Sequence, residues 1–214
     1  MCDDLKFKHP FSCIVSGTSG SGKTSFCICF LQILNASCIE RAFDGGTIWC
    51  YSEKNAVSSR QQLPTNITYN KGVAENFSNA RGKPCLVILH DLLNDVYSKQ
   101  VCNLFTRGMH HRNISLILIT QNLFHQGSYC RDISPNAHYL VALKNVRDKK
   151  QFMYLAHQVY PEDCIGLYNA YLDANRRTHG YLILGLTEDT NDGLAVSNQH
   201  NPYRISSGRL LSYR

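Results

Sequence analysis

The stretch SGTSGSGKTS, residues 16–25, constrains this chain more than any other feature. It follows the apolar run Phe11–Val15, so glycines and a lysine stand where a buried strand gives way to the next element. Gly17-Thr18-Ser19-Gly20-Ser21-Gly22-Lys23-Thr24 fits the spacing G-x-x-x-x-G-K-[ST]. Each position has a physical task. The glycines allow backbone angles that turn successive N–H groups inward into a concave anion nest. A helix opening near Lys23 adds its unpaired amides and the positive end of its dipole. The lysine reaches the β- and γ-phosphates of a nucleotide, and the Thr24 hydroxyl is placed to ligate Mg²⁺. The motif therefore predicts a nucleotide site that also takes Mg²⁺.

Apolar runs with strand character recur along the chain at 11–15, 46–51, 85–90, 114–120, 138–143 and 180–186. Those at 85–90 (CLVILH) and 114–120 (ISLILIT) are continuous rather than alternating, as strands covered on both faces are. Segments of helical length lie between the runs, at 24–36, about 94–109 and 148–175, the last broken at Pro161. This alternation predicts an α/β fold, a mostly parallel sheet flanked by helices. Residues 1–186 form the expected single domain, and 187–214, which lose the apolar periodicity, a polar and basic C-terminal tail. The polar segment 52–80 gives no clear element.

Two further strand ends are candidate parts of the site, because ligands of open parallel sheets lie off the carboxyl ends of the strands. In PCLVILHDLLND a buried strand ends at His90-Asp91, with Asp95 one helical turn later. An acid there holds Mg²⁺ or polarises the attacking water. Two adjacent acids usually close such a strand, and here the first is a histidine. A plain helix cap at Asp91 is the structural alternative. In ISLILITQN, Gln121 directly follows the strand and is placed to sense a γ-phosphate or the lytic water.

The rest of the sequence narrows the activity. A guanine-reading N-K-x-D is missing, which argues against a GTPase. A small-molecule kinase needs an arginine-rich lid, and YCRDISPN offers only Arg131, which leaves that class open but weakly supported. A third option is a ring ATPase that moves a polymer, in which a neighbouring subunit completes the site with an arginine. The net charge of +6 fits either simple solubility or attraction to a polyanion such as DNA.

Five blocks carry a resemblance: HPFSCIVSGTSGSGKTSF, LVILHDLLND, LFTRGMHHRNISLILITQNLFHQG, ISPNAHYLVALKNVRDKKQF and YLDANRRTHGYLILGL. In this order they resemble the FtsK–HerA-type genome-packaging ATPases of polinton (Maverick) elements, adintoviruses and related double-stranded DNA viruses. The likeness runs from about residue 8 to 205. It implies a RecA-like core in a homo-oligomeric ring, a hexamer, that hydrolyses ATP to drive double-stranded DNA into a capsid. Capsid proteins are then partners as well. On the matching positions Lys23, Asp91 and Gln121 are the catalytic residues, and Thr24 and Asp91 the metal residues. Arg107, Arg112 and Arg147 are the candidates for an arginine acting in trans. His90 departs from the family pattern, which has an acid there. The alternative it leaves open is a nucleotide-binding scaffold without turnover.

The remaining features are less specific. His110 and His111 beside Arg112 are DNA-facing, interfacial or merely solvated. Trp49 and Tyr51 share one strand face, for sheet packing or stacking on an adenine. Cys27 and Cys29 are expected in the core, and the basic stretch from Arg204 to Arg214 in a solvated or DNA-binding tail. Most of the ten cysteines sit in apolar runs, as small buried thiols of a reducing compartment do. The charged opening MCDDLKFKHP, with no apolar stretch of membrane-spanning length, predicts an intracellular protein that is not secreted and has no membrane partner. The resemblance implies the nucleus or cytoplasm of a host, or association with the virion.

Overall fold

In the computed structural model the described residues are 7–34, 43–52, 67–74, 82–90, 92, 99–105, 113–123, 136–145, 149–187, 194–197, 202–206 and 209–212. Six parallel strands form the body of the sheet: β1 (Ser12–Ser16), β2 (Thr47–Tyr51), β3 (Ile67–Lys71), β4 (Cys85–His90), β5 (Ile114–Thr120) and β6 (Tyr139–Leu143). Four more strands pair antiparallel at one edge: β7 (Tyr181–Gly185), β8 (Leu194–Ser197), β9 (Pro202–Ser206) and β10 (Arg209–Ser212). The spatial order is β10-β9-β8-β7-β6-β1-β5-β4-β2-β3. The expected α/β architecture with a mostly parallel sheet is what the chain forms.

Period-2 alternation explains why the central strands read as unbroken apolar runs. On β4, Cys85, Val87 and Leu89 enter one core layer, while Leu86 and Ile88 enter the other. Every residue of β4 and of β5 is buried. Helix α1 (Lys23–Leu34) covers the second layer with Cys27, Ile28 and Leu31. Helices α2 (Lys99–Asn103), α3 (Lys149–Val159) and α4 (Cys164–Ala174) supply Val101, Phe152, Leu155 and Leu167 to the first. Between α3 and α4 a 3-10 turn, Pro161–Asp163, breaks the segment where the proline predicts it, since the ring has no N–H to continue the helix. Asp163 then caps α4, accepting from Gly166 N at 2.9 Å.

Two expectations are corrected here, and a segment that had no assigned element gains one. The 187–214 segment, read as a loose tail, contributes β8, β9 and β10 and so extends the sheet. The polar stretch 52–80 contains the edge strand β3, which is half-exposed and therefore needs little apolar pattern. Cys29 is exposed, whereas Cys27 is buried as expected. Burial pushes the thiols of Cys13 and Cys27 well above their ordinary value, so both stay neutral and unreactive in the core.

The order of strands decides where chemistry can occur. β5 stands between β1 and β4, so the ends of three adjacent parallel strands converge: Ser16-Gly17, Thr120-Gln121 and His90. The register confirms the alignment, with Ser16 opposite Thr120 and Ile119 opposite His90.

Candidate nucleotide site

The loop between β1 and α1 is built as its glycines require. Gly20 and Gly22 have φ of 77° and 102°, in the left-handed region that other residues avoid. At Gly17 the constraint is space, because a Cβ would lie 2.6 Å from Ser21 Oγ and 2.9 Å from Leu143 Cβ. The loop is anchored on both sides. Gly17 N donates to Thr120 O on β5 at 3.3 Å, and Thr18 Oγ1 donates to Lys144 O beyond β6 at 3.2 Å. Ser21 N closes an internal turn onto Thr18 O at 3.1 Å, and Phe26 N begins the helical ladder on Gly22 O at 2.8 Å.

Lys23 is buried, 7% exposed, and its Nζ donates to Gly17 O at 2.7 Å and Thr18 O at 2.9 Å. The ammonium thus lies folded over the loop it belongs to. The Ser21 hydroxyl is buried and has no hydrogen-bond partner among the described residues. A buried hydroxyl without a partner costs about 1–3 kcal/mol, so the loop carries a donor that a bound phosphate would satisfy. The left-handed glycines, the lysine and this orphaned hydroxyl fit an anion better than any neutral group.

His90 ends β4 with 3% exposure, and its Nε2 lies 3.4 Å from Thr24 Oγ1 on α1. Its ring meets Trp49 edge to face at a centroid distance of 5.9 Å. The residue that replaces the expected acid therefore touches the hydroxyl predicted to ligate Mg²⁺. Trp49 is wholly buried in the core layer under α1, which excludes it from stacking on an adenine. Gln121 is exposed immediately after β5 and beside the loop. Asp91, Asp95, His110, His111, Arg107, Arg112 and Arg147 lie outside the described residues.

One contact has no counterpart in the sequence reading. His179, in the turn between α4 and β7, places Nδ1 3.1 Å from Ser21 O. Its imidazole also covers Gly22, where a Cβ would come within 2.7 Å of Nδ1. No spacing rule links positions 158 residues apart, so only the fold brings them together.

A family profile described as "Poxvirus A32 protein" matches residues 3–160. The chain belongs to this family. The A32 match covers β1 to α3, hence the phosphate loop, the β4 end and the β5 end, and stops before α4 and the His179 turn. No curated protein matches the chain. Among solved structures, the DNA-packaging ATPase B204 from Sulfolobus turreted icosahedral virus is similar at a TM-score of 0.52 and 14% identity, over 83% of this chain and 93% of that one. The genome-packaging NTPase B204 from Sulfolobus turreted icosahedral virus 2, in complex with sulfate, gives a TM-score of 0.55 and 12% identity, over 88% and 95%. The same protein in complex with AMPPCP gives 0.53 and 13%, over 88% and 96%. At these identities the likeness establishes a shared fold, and over nearly the full length of both chains.

Proposed function

We propose that this A32-family protein is an ATP-hydrolysing DNA translocase that packages double-stranded viral-type DNA into a capsid as a homo-oligomeric ring. The observation that carries the reading is the loop itself: left-handed glycines, a buried lysine over the loop carbonyls and an orphaned serine hydroxyl at the end of β1. Family membership and the shared fold with packaging NTPases support the packaging role, and the B204 complexes with ATP-γ-S and AMPPCP support a triphosphate as ligand.

In this reading Lys23 binds the β- and γ-phosphates and offsets the charge that develops on them in the transition state. Thr24 and Asp91 would hold Mg²⁺, whose charge would offset that of the phosphate oxygens. Gln121 orients the attacking water. Arg107, Arg112 or Arg147 of an adjacent copy completes the site, which makes turnover sensitive to assembly. The ring works inside the host cell, in nucleus or cytoplasm. Among the described residues no helix is long and apolar enough to cross a membrane.

A second reading rests on His90. A neutral imidazole at the Thr24 hydroxyl supplies none of the negative charge that a carboxylate gives to the surroundings of Mg²⁺. The protein is then a nucleotide-binding scaffold with slow or no turnover.

DNA-dependent hydrolysis separates the two. The translocase hydrolyses ATP faster when duplex DNA is added. The stimulation fades steeply between about 50 and 200 mM salt, because lysines and arginines release counterions from the backbone rather than read bases. Hydrolysis indifferent to DNA, or DNA stimulation indifferent to salt, contradicts the translocase.

A further inference from the structure

The turn that leaves α4, Asn175–Gly180, is fixed to that helix and pressed onto the phosphate loop. Asn175 N and Nδ2 both donate to Tyr171 O, at 3.1 and 2.8 Å. Arg176 N donates to Asp173 O, and Gly180 N to Arg177 O, each at 3.1 Å. At Gly180 any Cβ would collide with Ala174 O, so the turn closes tightly on the end of α4. The helix is tied in its turn to the end of β6. Tyr171 Oη accepts from Asn145 N at 3.0 Å and donates to Leu143 O at 3.2 Å, while its ring stacks on Phe152 at 4.0 Å. Thr18 of the loop bonds the adjoining Lys144 carbonyl. β6, α4 and the turn therefore form one bracket around one side of the loop.

His179 is the tip of that bracket. Its φ of 60° is left-handed, a conformation in which histidine and asparagine are enriched among non-glycine residues. Ser21 O can only accept, so the 3.1 Å contact makes Nδ1 the protonated nitrogen. The carbonyl of Ser21 and the N–H of Gly22 belong to the same peptide plane and point in opposite directions when it is trans. Drawing Ser21 O towards the turn therefore directs Gly22 N–H away from it. At the same time the imidazole covers the face of Gly22 and blocks the peptide from rotating that way.

We propose that His179 is a positioning residue of the phosphate loop: it holds the Ser21–Gly22 peptide in the orientation that presents the Gly22 N–H to a nucleotide phosphate. The proposal rests on the nucleotide reading of the loop. It makes α4 and its following turn, which lie beyond the part matched to the A32 family, a support on which nucleotide affinity depends.

Two substitutions test it in the full chain. His179→Gly accepts the left-handed backbone but removes the donor, whereas His179→Asn accepts it and places an amide nitrogen close to where Nδ1 stands. Affinity for a non-hydrolysable ATP analogue with Mg²⁺ is measured by calorimetry, beside the melting temperature without nucleotide and the KM and kcat for ATP. The expected result is a loss of about 3- to 10-fold in affinity for the glycine variant, the worth of one neutral hydrogen bond. The asparagine variant stays within about twofold of the wild type, and KM rises in the glycine variant more than kcat falls. Wild-type affinity in the glycine variant, or an equal loss in both variants, overturns the proposal and leaves the nucleotide site standing. A wild-type protein that binds no analogue removes the site reading and this proposal together.

Discussion

Lys23→Ala is expected to lower nucleotide turnover, with kcat falling by about 10²- to 10³-fold, the usual cost of losing one pre-aligned group that stabilises transition-state charge. The side chain is buried, and its ammonium already sits 2.7 and 2.9 Å from two loop carbonyls. To engage a phosphate it exchanges one set of acceptors for another without crossing solvent. The substitution also leaves the Gly17 and Thr18 carbonyls without this donor, which costs the fold about 1–3 kcal/mol in the nucleotide-free state. Phosphate release and a melting curve, taken on the same preparation, separate the two effects. A variant that melts like the wild type but hydrolyses nothing has lost chemistry. A variant with wild-type turnover contradicts the assignment of Lys23.

His90→Asp acts in the opposite direction. The imidazole is buried against Trp49 and reaches the Thr24 hydroxyl at 3.4 Å, so a carboxylate at this position enters the immediate surroundings of the proposed metal. A hard divalent cation gains far more from a carboxylate oxygen than from a neutral ring nitrogen. Mg²⁺-dependent hydrolysis is expected to rise at least about tenfold, one pre-placed charge being worth more than ~1.4 kcal/mol in such a site. Without metal the new charge is buried and uncompensated, and the fold loses about 3 kcal/mol. Adding Mg²⁺ with nucleotide then restores stability in the variant by more than it stabilises the wild type. A variant that neither gains activity nor responds to Mg²⁺ would put position 90 outside the surroundings of the metal. The scaffold reading would lose its physical basis.

Much of this site was legible because it is local. The loop motif, the strand before it and the helix after it are contiguous, and each glycine stands where the backbone angle or the space demands one. β4 and β5 were legible for a different reason: two-sided burial erases the alternation that a half-exposed strand would show. What escaped sequence reasoning follows from the same physics. β3 lies at the edge with Tyr69 43% exposed, so its pattern is that of a loop. β8 to β10 pair through backbone groups, which make no demand on side-chain periodicity. Cys29 was misplaced although helical geometry gives the answer, since residues two apart on a helix face nearly opposite sides. His179 is a long-range contact, and a lone histidine in the turn NRRTHG carries no local signal of the loop it touches.

The most direct measurement is a calorimetric titration of the wild-type protein with an ATP analogue that cannot be hydrolysed, run in parallel with adenosine. If the loop grips phosphates, the triphosphate binds at one site per chain and at least about 100-fold more tightly than the nucleoside, because charge-assisted bonds to the phosphates supply most of the affinity. Equal affinity for the two ligands, or no heat with either, contradicts the account at its root.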